Sequence, residues 1–565
     1  MSSYIIELNK DCKKLDFSVE KESGNKNFTI YDEKNYILII DGYFLNKDEI
    51  EKNYFSNKSS KFQEILISSL QKKSEIIKML DGSFNIYFFN KKDCELKVIR
   101  DYWGSRPSYF HKKGSGFIFS NDLKNLKKIL PMKLTANMQK IKEFLSWQFF
   151  NDESTYYNEI KKLLPGHIYK LNRTNFTKNK FSIFELKKLP NEIYTKERFS
   201  NLLEKAVKKR EIRFKRIGLM LSGGLDSSSI AVALKNTSKK EVKTISANFS
   251  HLNKNTRTDE TDYQKNVSRF TNYRHKNIEL KNISVMEAIK NYINIFNEPM
   301  LIPNLYFFES ICKNLKHENL DAIFDGNDGD NVVSHGYESI YSHFKRFDIF
   351  KFYTSITSYS EVHNKNKIKM FIFFFKNCLK KLINYKPNDV NTSLLIDSHY
   401  NAVRKTPTKN ILDSHKSKLL NDLHYIAFEN RFKIFKEIGI EPVSPFYDRN
   451  LINYCLNMPY KFKFKFGYTR YILRQYLSEF LPKNHSFRPH KSNLAKGLEA
   501  NFSKKDMKLV EHELSNINPK LLNILDTGRL NEILLSWKMN NQLSEREIIN
   551  LQIFLNLNIF LNSQF

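Results

Sequence analysis

The residues richest in chemistry form one short run, Ser222-Gly223-Gly224-Leu225-Asp226-Ser227-Ser228. The apolar stretch 217–221 before it reads as a buried strand, and the small residues 228–231 after it open a helix. Two adjacent glycines let backbone N–H groups approach a polyanion with no side chain in the way. A helix N-terminus adds unpaired donors and the positive end of a dipole. Ser222, Ser227 and Ser228 contribute hydroxyl donors. Asp226 is out of place against bare phosphate, which points to a metal ion held between the two. The Gly-Lys-Ser/Thr ending of a Walker A loop is absent. A strand–turn–helix without a ligand is the plain alternative, yet a βα turn is where α/β sheets bind phosphates.

Such a turn needs a parallel sheet around it, and the pieces begin near residue 195. A helix at 197–210, the strand before Ser222, a helix to Leu234 and a strand at 242–247 make βαβ units. A later strand, 322–324, runs into Asp325-Gly326-Asn327-Asp328-Gly329-Asp330-Asn331. Beyond about 340 the chain reads as helical and rich in Phe and Lys, with a polar break at 384–392. The first 185 residues differ. Short strands at 36–40, 83–90, 95–100 and 167–171, a hairpin over 108–111 and 117–120, and helices at 63–69 and 138–147 predict an α+β sandwich. The expected parts are 1–185, 195–500 and a helical extension, 501–565. The fold class is an α+β sandwich followed by an α/β parallel-sheet domain with a helical C-terminal part.

With 92 Lys+Arg against 61 Asp+Glu the chain carries +31, which raises nucleic acid or a membrane surface as partners. The lysines are spread over the whole length, so two readings stand: a general compositional drift, or an acidic partner. No basic patch is concentrated enough to predict a specific nucleic acid. Cys12, Cys94, Cys312, Cys378 and Cys455 form no C-x-x-C pair, which fits a reducing cytoplasm. Residues 1–6 are too short an apolar run for secretion. The most membrane-like segment, 370–375, is far below the roughly 20 residues of a spanning helix, so a core helix or a surface contact is expected.

Several ordered motifs give the chain a resemblance to the asparagine synthetase family. Ser-Gly-Gly-Leu-Asp-Ser at 222–227 is similar to the pyrophosphate loop of ATP pyrophosphatases. The run 325–330 resembles the family's second acidic loop, and Glu441-Pro442-Val443-Ser444-Pro445-Phe446-Tyr447-Asp448 its Glu-x-Arg-x-Pro-Phe-x-Asp block. Tyr468-Thr469-Arg470 and Arg488-Pro489-His490-Lys491 follow in order, and Leu80-Asp81-Gly82-Ser83-Phe84, the run 100–107 and Leu164-Pro165-Gly166 match the N-terminal part. The resemblance implies an Ntn-like glutamine amidotransferase domain, ATP and Mg²⁺ as cofactors, and an ATP-dependent amide-forming ligase. It places Leu221, Ala247, Asp325 and Gly326 with the glycine loop at the nucleotide, and Asp226 and Asp330 on a shared Mg²⁺. Lys491 is the expected cation at the α-phosphate, the alternative being an ordinary solvated lysine. Glu429 is read either as a base for the attacking amine or as half of a surface helix pair with Tyr425. Glu441 and Asp448 are expected to cap or to pair with Arg449 or Arg470.

The departures matter equally. The nucleophilic Cys that glutamine-dependent members carry after the initiator Met is Ser2 here. The family's Asn-Gly-Glu is Asp41-Gly42-Tyr43, its Arg-Gly-Pro-Asp segment has no counterpart, and Asn327 stands where many members have Glu. These changes predict a degenerate amidotransferase domain. They favour an amine from the substrate itself, as in the lasso-peptide cyclases and β-lactam synthetases, over ammonia or glutamine. The alternatives are an asparagine synthase using ammonia or glutamine, and a silent nucleotide-binding member. Expected partners are a small-molecule or peptide carboxylate, an amine, and either a second copy or a precursor peptide.

Overall fold

The computed structural model describes residues 3–20, 27–54, 62–72, 75–181, 193–248, 260–280, 284–300, 304–383, 391–406, 410–489, 504–540 and 543–565. Ser2, Lys491 and most of the polar break at 384–392 lie outside the described residues.

The N-terminal part is two antiparallel sheets. One is built from β1 (Ser3–Leu8), β2 (Leu15–Glu20), β7 (Tyr109–Lys113), β8 (Gly116–Ser120) and β9 (Lys161–Lys162). The other holds β3 (Phe28–Asp32), β4 (Tyr36–Phe44), β5 (Gly82–Asn90), β6 (Glu95–Arg100), β10 (His167–Leu171) and β11 (Phe176–Lys180). The central strands of the second sheet are apolar on both faces, and alternation explains why. Ile37, Ile39, Tyr87 and Phe89 point into the core between the sheets. Leu38, Ile40, Ile86 and Phe88 belong to a second core that continues through Phe214, Ile217 and Leu219. One hydrophobic cluster therefore runs across the junction of the two halves.

The second half is built on five parallel strands in the order β14-β13-β12-β15-β16, where β12 is Ile217–Met220, β13 Val242–Asn248, β14 Arg274–Glu279, β15 Ala322–Phe324 and β16 Glu441–Val443. The chain leaves β12 toward one edge, then returns to lay β15 on its other side. The carboxyl ends of β12 and β15 thus flank the point where strand order reverses, the position at which open α/β sheets form their crevice. Helices cover the sheet, and residues 504–565 add further helices that end in Glu545–Gln564.

One feature departs from the sequence reading. The stretch past 340 is not wholly helical, since Glu441–Val443 joins the sheet as an edge strand; three residues with a central proline carry no periodic signal, and an edge tolerates the missing N–H. The segment 370–375 sits on the helix Lys367–Leu382, where Phe374 is buried while Phe373 and Phe375 are exposed. Among the described residues no helix is long and apolar enough to cross a membrane.

Candidate active site

The loop after β12 is tied to itself by its serines. Ser222 N–H and Oγ both lie near Ser227 Oγ (3.2 and 3.0 Å), Gly224 N–H donates to Ser222 Oγ (3.1 Å), and Ser227 Oγ donates to the Gly224 carbonyl (3.2 Å). Gly223 adopts φ +82°, the left-handed region where glycine is at ease, and a Cβ there would come within 3.0 Å of Tyr263. The helix Leu225–Thr237 begins at Gly224 with no side-chain cap. Its first turn therefore keeps donors for an anion.

The loop after β15 meets this one at contact distance. A Cβ on Gly326 would lie 2.4 Å from Ser227 N, and one on Gly329 would lie 2.7 Å from Asp226 Oδ1. Both glycines are required by that approach. Asp325 is buried, receives Ser444 Oγ–H at 2.8 Å and pairs with Arg431 at 2.6 Å; burial raises its pKa and the arginine opposes that shift. Asp328 sits at φ +57°. Burial alone would raise its carboxyl, but His424 at 3.1 Å, the Tyr447 hydroxyl and Asn331 hold it below its ordinary value.

A cleft of about 550 Å³ opens over the two loops. Leu221, Ser222, Gly224, Asp226, Ser227, Ala247, Asp325, Gly326 and Asp330 all line it, so the structure brings these residues together around one cleft. Gly223 shapes the loop from behind. Arg431, Arg470, Arg474 and Arg488 also face the cleft. Arg470 donates to both oxygens of Asp226 at 2.8 Å, and Asp226 and Asp330 together offset the effect of burial and raise its pKa. Arg488 stacks over Tyr263 at 4.3 Å and pairs with Glu260 at 2.7 Å. Burial, with Arg470 and Arg488 nearby, pulls Arg474 down to about 9. Crowded like charges of this kind are expected where a polyanion binds.

Buried histidines brace both loops from behind. Ser228 Oγ and His485 Nε2 are 3.0 Å apart. His415 Nε2–H donates to the Asn331 carbonyl at 2.8 Å while Lys463 donates to Nδ1 at 3.1 Å, which fixes the tautomer.

Among the described residues no group of three or more His, Cys, Asp or Glu is arranged to hold a metal. A Mg²⁺ ion that keeps phosphate and water oxygens needs only one or two carboxylates. Asp226 and Asp330, both facing the cleft and both acting on Arg470, fit that requirement.

Glu429 is placed elsewhere. It is buried and does not line the cleft; it pairs with Arg100 of the N-terminal part at 2.8 Å and with Lys433 at 3.0 Å. Burial would raise its carboxyl, but Lys433, Lys162 and Arg100 hold it far below the ordinary range. Its burial excludes the surface helix pair with Tyr425, and its partners make Glu429 one half of a buried bolt between the two halves. Arg106 forms the other bolt. It reaches Asp41 at 3.0 Å and both oxygens of Glu441 at 2.7 and 2.8 Å. Between these arginines, Trp103 packs edge-on against Tyr447 at 4.6 Å. Glu441 and Asp448 are structural; Asp448 caps a helix as expected, while the ion pairs of both are with other arginines than Arg449 and Arg470. Glu441 takes Arg106, while Asp448 caps the helix Arg449–Asn457 and pairs with Arg210 at 3.3 Å.

The fold and cleft match a nucleotide-using α/β domain behind an amidotransferase-like one, and comparison with known proteins agrees. Residues 198–562 match the asparagine synthase family and residues 18–182 the glutamine amidotransferase domain. The chain belongs to the asparagine synthase family, a class of ATP-dependent C–N ligases. It is 25% identical over 279 residues to a protein provisionally named asparagine synthetase [glutamine-hydrolyzing] 2 of Methanocaldococcus jannaschii, covering 47% of this chain and 53% of that one. Asparagine synthetase [glutamine-hydrolyzing] 1 of Bacillus subtilis is 24% identical over 336 residues, 54% of this chain and 50% of its own. The human asparagine synthetase is 21% identical over 483 residues, 80% and 70%. The matched stretch spans about half the length of the first two relatives.

Proposed function

We propose that this protein is an ATP-dependent amide-forming ligase that activates a carboxylate as an acyl-adenylate. A carboxylate oxygen attacks the α-phosphorus, the bond to the β-phosphate oxygen breaks, and pyrophosphate leaves. An amine nitrogen then attacks the acyl carbon, loses a proton, and AMP departs on the broken C–O bond. The observation that carries this reading is the meeting of two acidic, glycine-bearing loops in one arginine-lined cleft at the switch point of the sheet.

In this reading the 222–227 loop takes the β- and γ-phosphates on its N–H and hydroxyl groups. Arg470, Arg474 and Arg488 neutralise charge on the leaving pyrophosphate. Asp226 and Asp330 would hold Mg²⁺, which when bound supplies further neutralisation of the phosphates. Leu221, Ala247 and Gly326 would bound the adenosine. Lys491 is carried into the proposal from its sequence motif alone, as the cation for the α-phosphate. The division at 1–185, 195–500 and 501–565 is likewise proposed.

The amine is proposed to come from the substrate. Asp41, at the start of the run that replaces Asn-Gly-Glu, is buried and paired with Arg106, and Tyr43 is buried. Both serve packing, which leaves little to grip a glutamine. A second reading, asparagine formation fed by glutamine, is favoured by the names of the relatives, which are glutamine-hydrolysing. One experiment separates them: pyrophosphate release is screened over carboxylates and cell extract, with and without glutamine. Release without glutamine supports the first reading; glutamate production abolished by Ser2→Ala supports the second.

A further inference from the structure

Exposed apolar side chains concentrate on the hairpin of helices Ile349–Val362 and Lys367–Leu382. Phe347, Ile349, Phe350 and Ile368 are 87, 75, 77 and 71% exposed. Along the second helix Ile368, Ile372, Phe375, Leu379 and Leu382 recur at spacings of four and three, and every one is exposed. They make one stripe roughly 21 Å long at 1.5 Å per residue. The helix has already used another stripe for folding. Phe374 and Cys378, with Phe371 beside them, pack on Ile340, Phe352, Ile356 and Phe464. The outer stripe is therefore additional to what the hairpin needs for its own core.

Charge decides the occupant. Residues 344–383 hold nine Lys or Arg and two acids. Those acids, Asp348 and Glu361, are engaged by Lys351 at 2.9 Å and Lys367 at 2.6 Å. Lys369, Lys376 and Lys380, all exposed, run along one flank of the apolar stripe. A second copy of this chain would bring lysines against lysines. An anionic bilayer instead takes Phe and Ile into its acyl boundary and the flanking ammonium groups at its headgroups. From this apolar and basic pattern we infer that the hairpin is a docking surface for an anionic lipid membrane. Docking there would bring the cleft close to the bilayer, since His363 and Tyr337 line the cleft and Tyr359 of the hairpin lies 4.2 Å from the His363 ring and 5.8 Å from that of Tyr337.

The test is co-sedimentation of the full chain with phosphatidylcholine vesicles, alone or with about one-third phosphatidylglycerol. Binding is expected only to the anionic vesicles and should weaken in high salt. Lys369→Glu/Lys376→Glu should reduce it by roughly thirtyfold or more, since each lysine near an anionic surface is worth about fivefold. Ile368→Ser/Ile372→Ser should reduce it comparably. Should the serine variant fold poorly by thermal melting, the lysine variant, confined to exposed charges, decides. Equal binding to neutral vesicles, no binding, or binding untouched by either variant overturns the inference. So does a dimer that dissociates with the same substitutions while vesicles are ignored, or capture on an acidic protein without lipid binding. None of these outcomes depends on the proposed ligase activity, which is read separately by pyrophosphate release.

Discussion

Arg470 Nη1 lies 2.8 Å from both carboxylate oxygens of Asp226, joining the turn after Tyr468–Thr469 to the loop proposed to hold the triphosphate. Arg470 is itself at φ +52°, a costly backbone for a bulky residue, and is buried. Its guanidinium stands in for a cation beside Asp226. Arg470→Met should weaken ATP binding and lower pyrophosphate release by about a hundredfold or more, as loss of a buried charge aimed at a developing anion does. Arg470→Lys should fall between, because the planar fork is lost while the charge stays. ATP titration calorimetry and pyrophosphate release check both.

Gly329→Ala tests the contact of the two loops. The added methyl would meet Asp226 Oδ1 at 2.7 Å, so either loop must shift. ATP affinity should drop by about tenfold, with a stability cost of about 1–3 kcal/mol. Gly439→Ala is the control: at φ +71° with nothing within 4 Å it carries backbone strain only, and should melt lower while binding ATP normally.

Glu429→Gln separates a bolt from a base. With Arg100 and Lys433 left as buried charges, the variant should lose about 3–5 kcal/mol in denaturant unfolding. At temperatures where it stays folded, its pH–rate profile should match the parent. A lost low-pH limb in that profile would restore Glu429 to the chemistry.

Acid should loosen the site from behind. Burial, aided by Arg488, lowers His485 to about 4, and burial with Lys463 lowers His415 to about 3. Each folded-state value lies below the ordinary 6.5, so the folded protein binds fewer protons than the unfolded chain once the pH falls under 6.5. The stability is intact above that pH and is lost progressively down to about 4 and 3, roughly 3 kcal/mol or more for each histidine. Melting temperature between pH 7 and 4 should fall, and His485→Asn should flatten the slope.

Much of the site was legible in the chain because its parts are local. The loop 222–227 and the run 325–330 each carry glycines and acids within a few residues, and the strands before them are short apolar runs. What escaped the reading is set by partners far apart in sequence. Arg470 reaches Asp226 across 244 residues, and Arg100 reaches Glu429 across 329. No periodicity or spacing encodes such pairings. The Arg-x-x-Lys frame drew attention to Lys491, whereas Arg488 at its head stacks on Tyr263 and faces the cleft. The strand Glu441–Val443 was lost for want of length, and the exposed stripe on Lys367–Leu382 because an apolar helix reads the same whether its second face is covered or bare.

The most direct test follows the fate of ATP. Purified protein, supplied with Mg²⁺ and extract carboxylates, should release AMP and pyrophosphate in equal amounts, and both should vanish in Asp226→Ala and in Asp330→Ala while each variant keeps its fold. Formation of ADP and phosphate instead, or pyrophosphate release undiminished in either variant, would contradict the account.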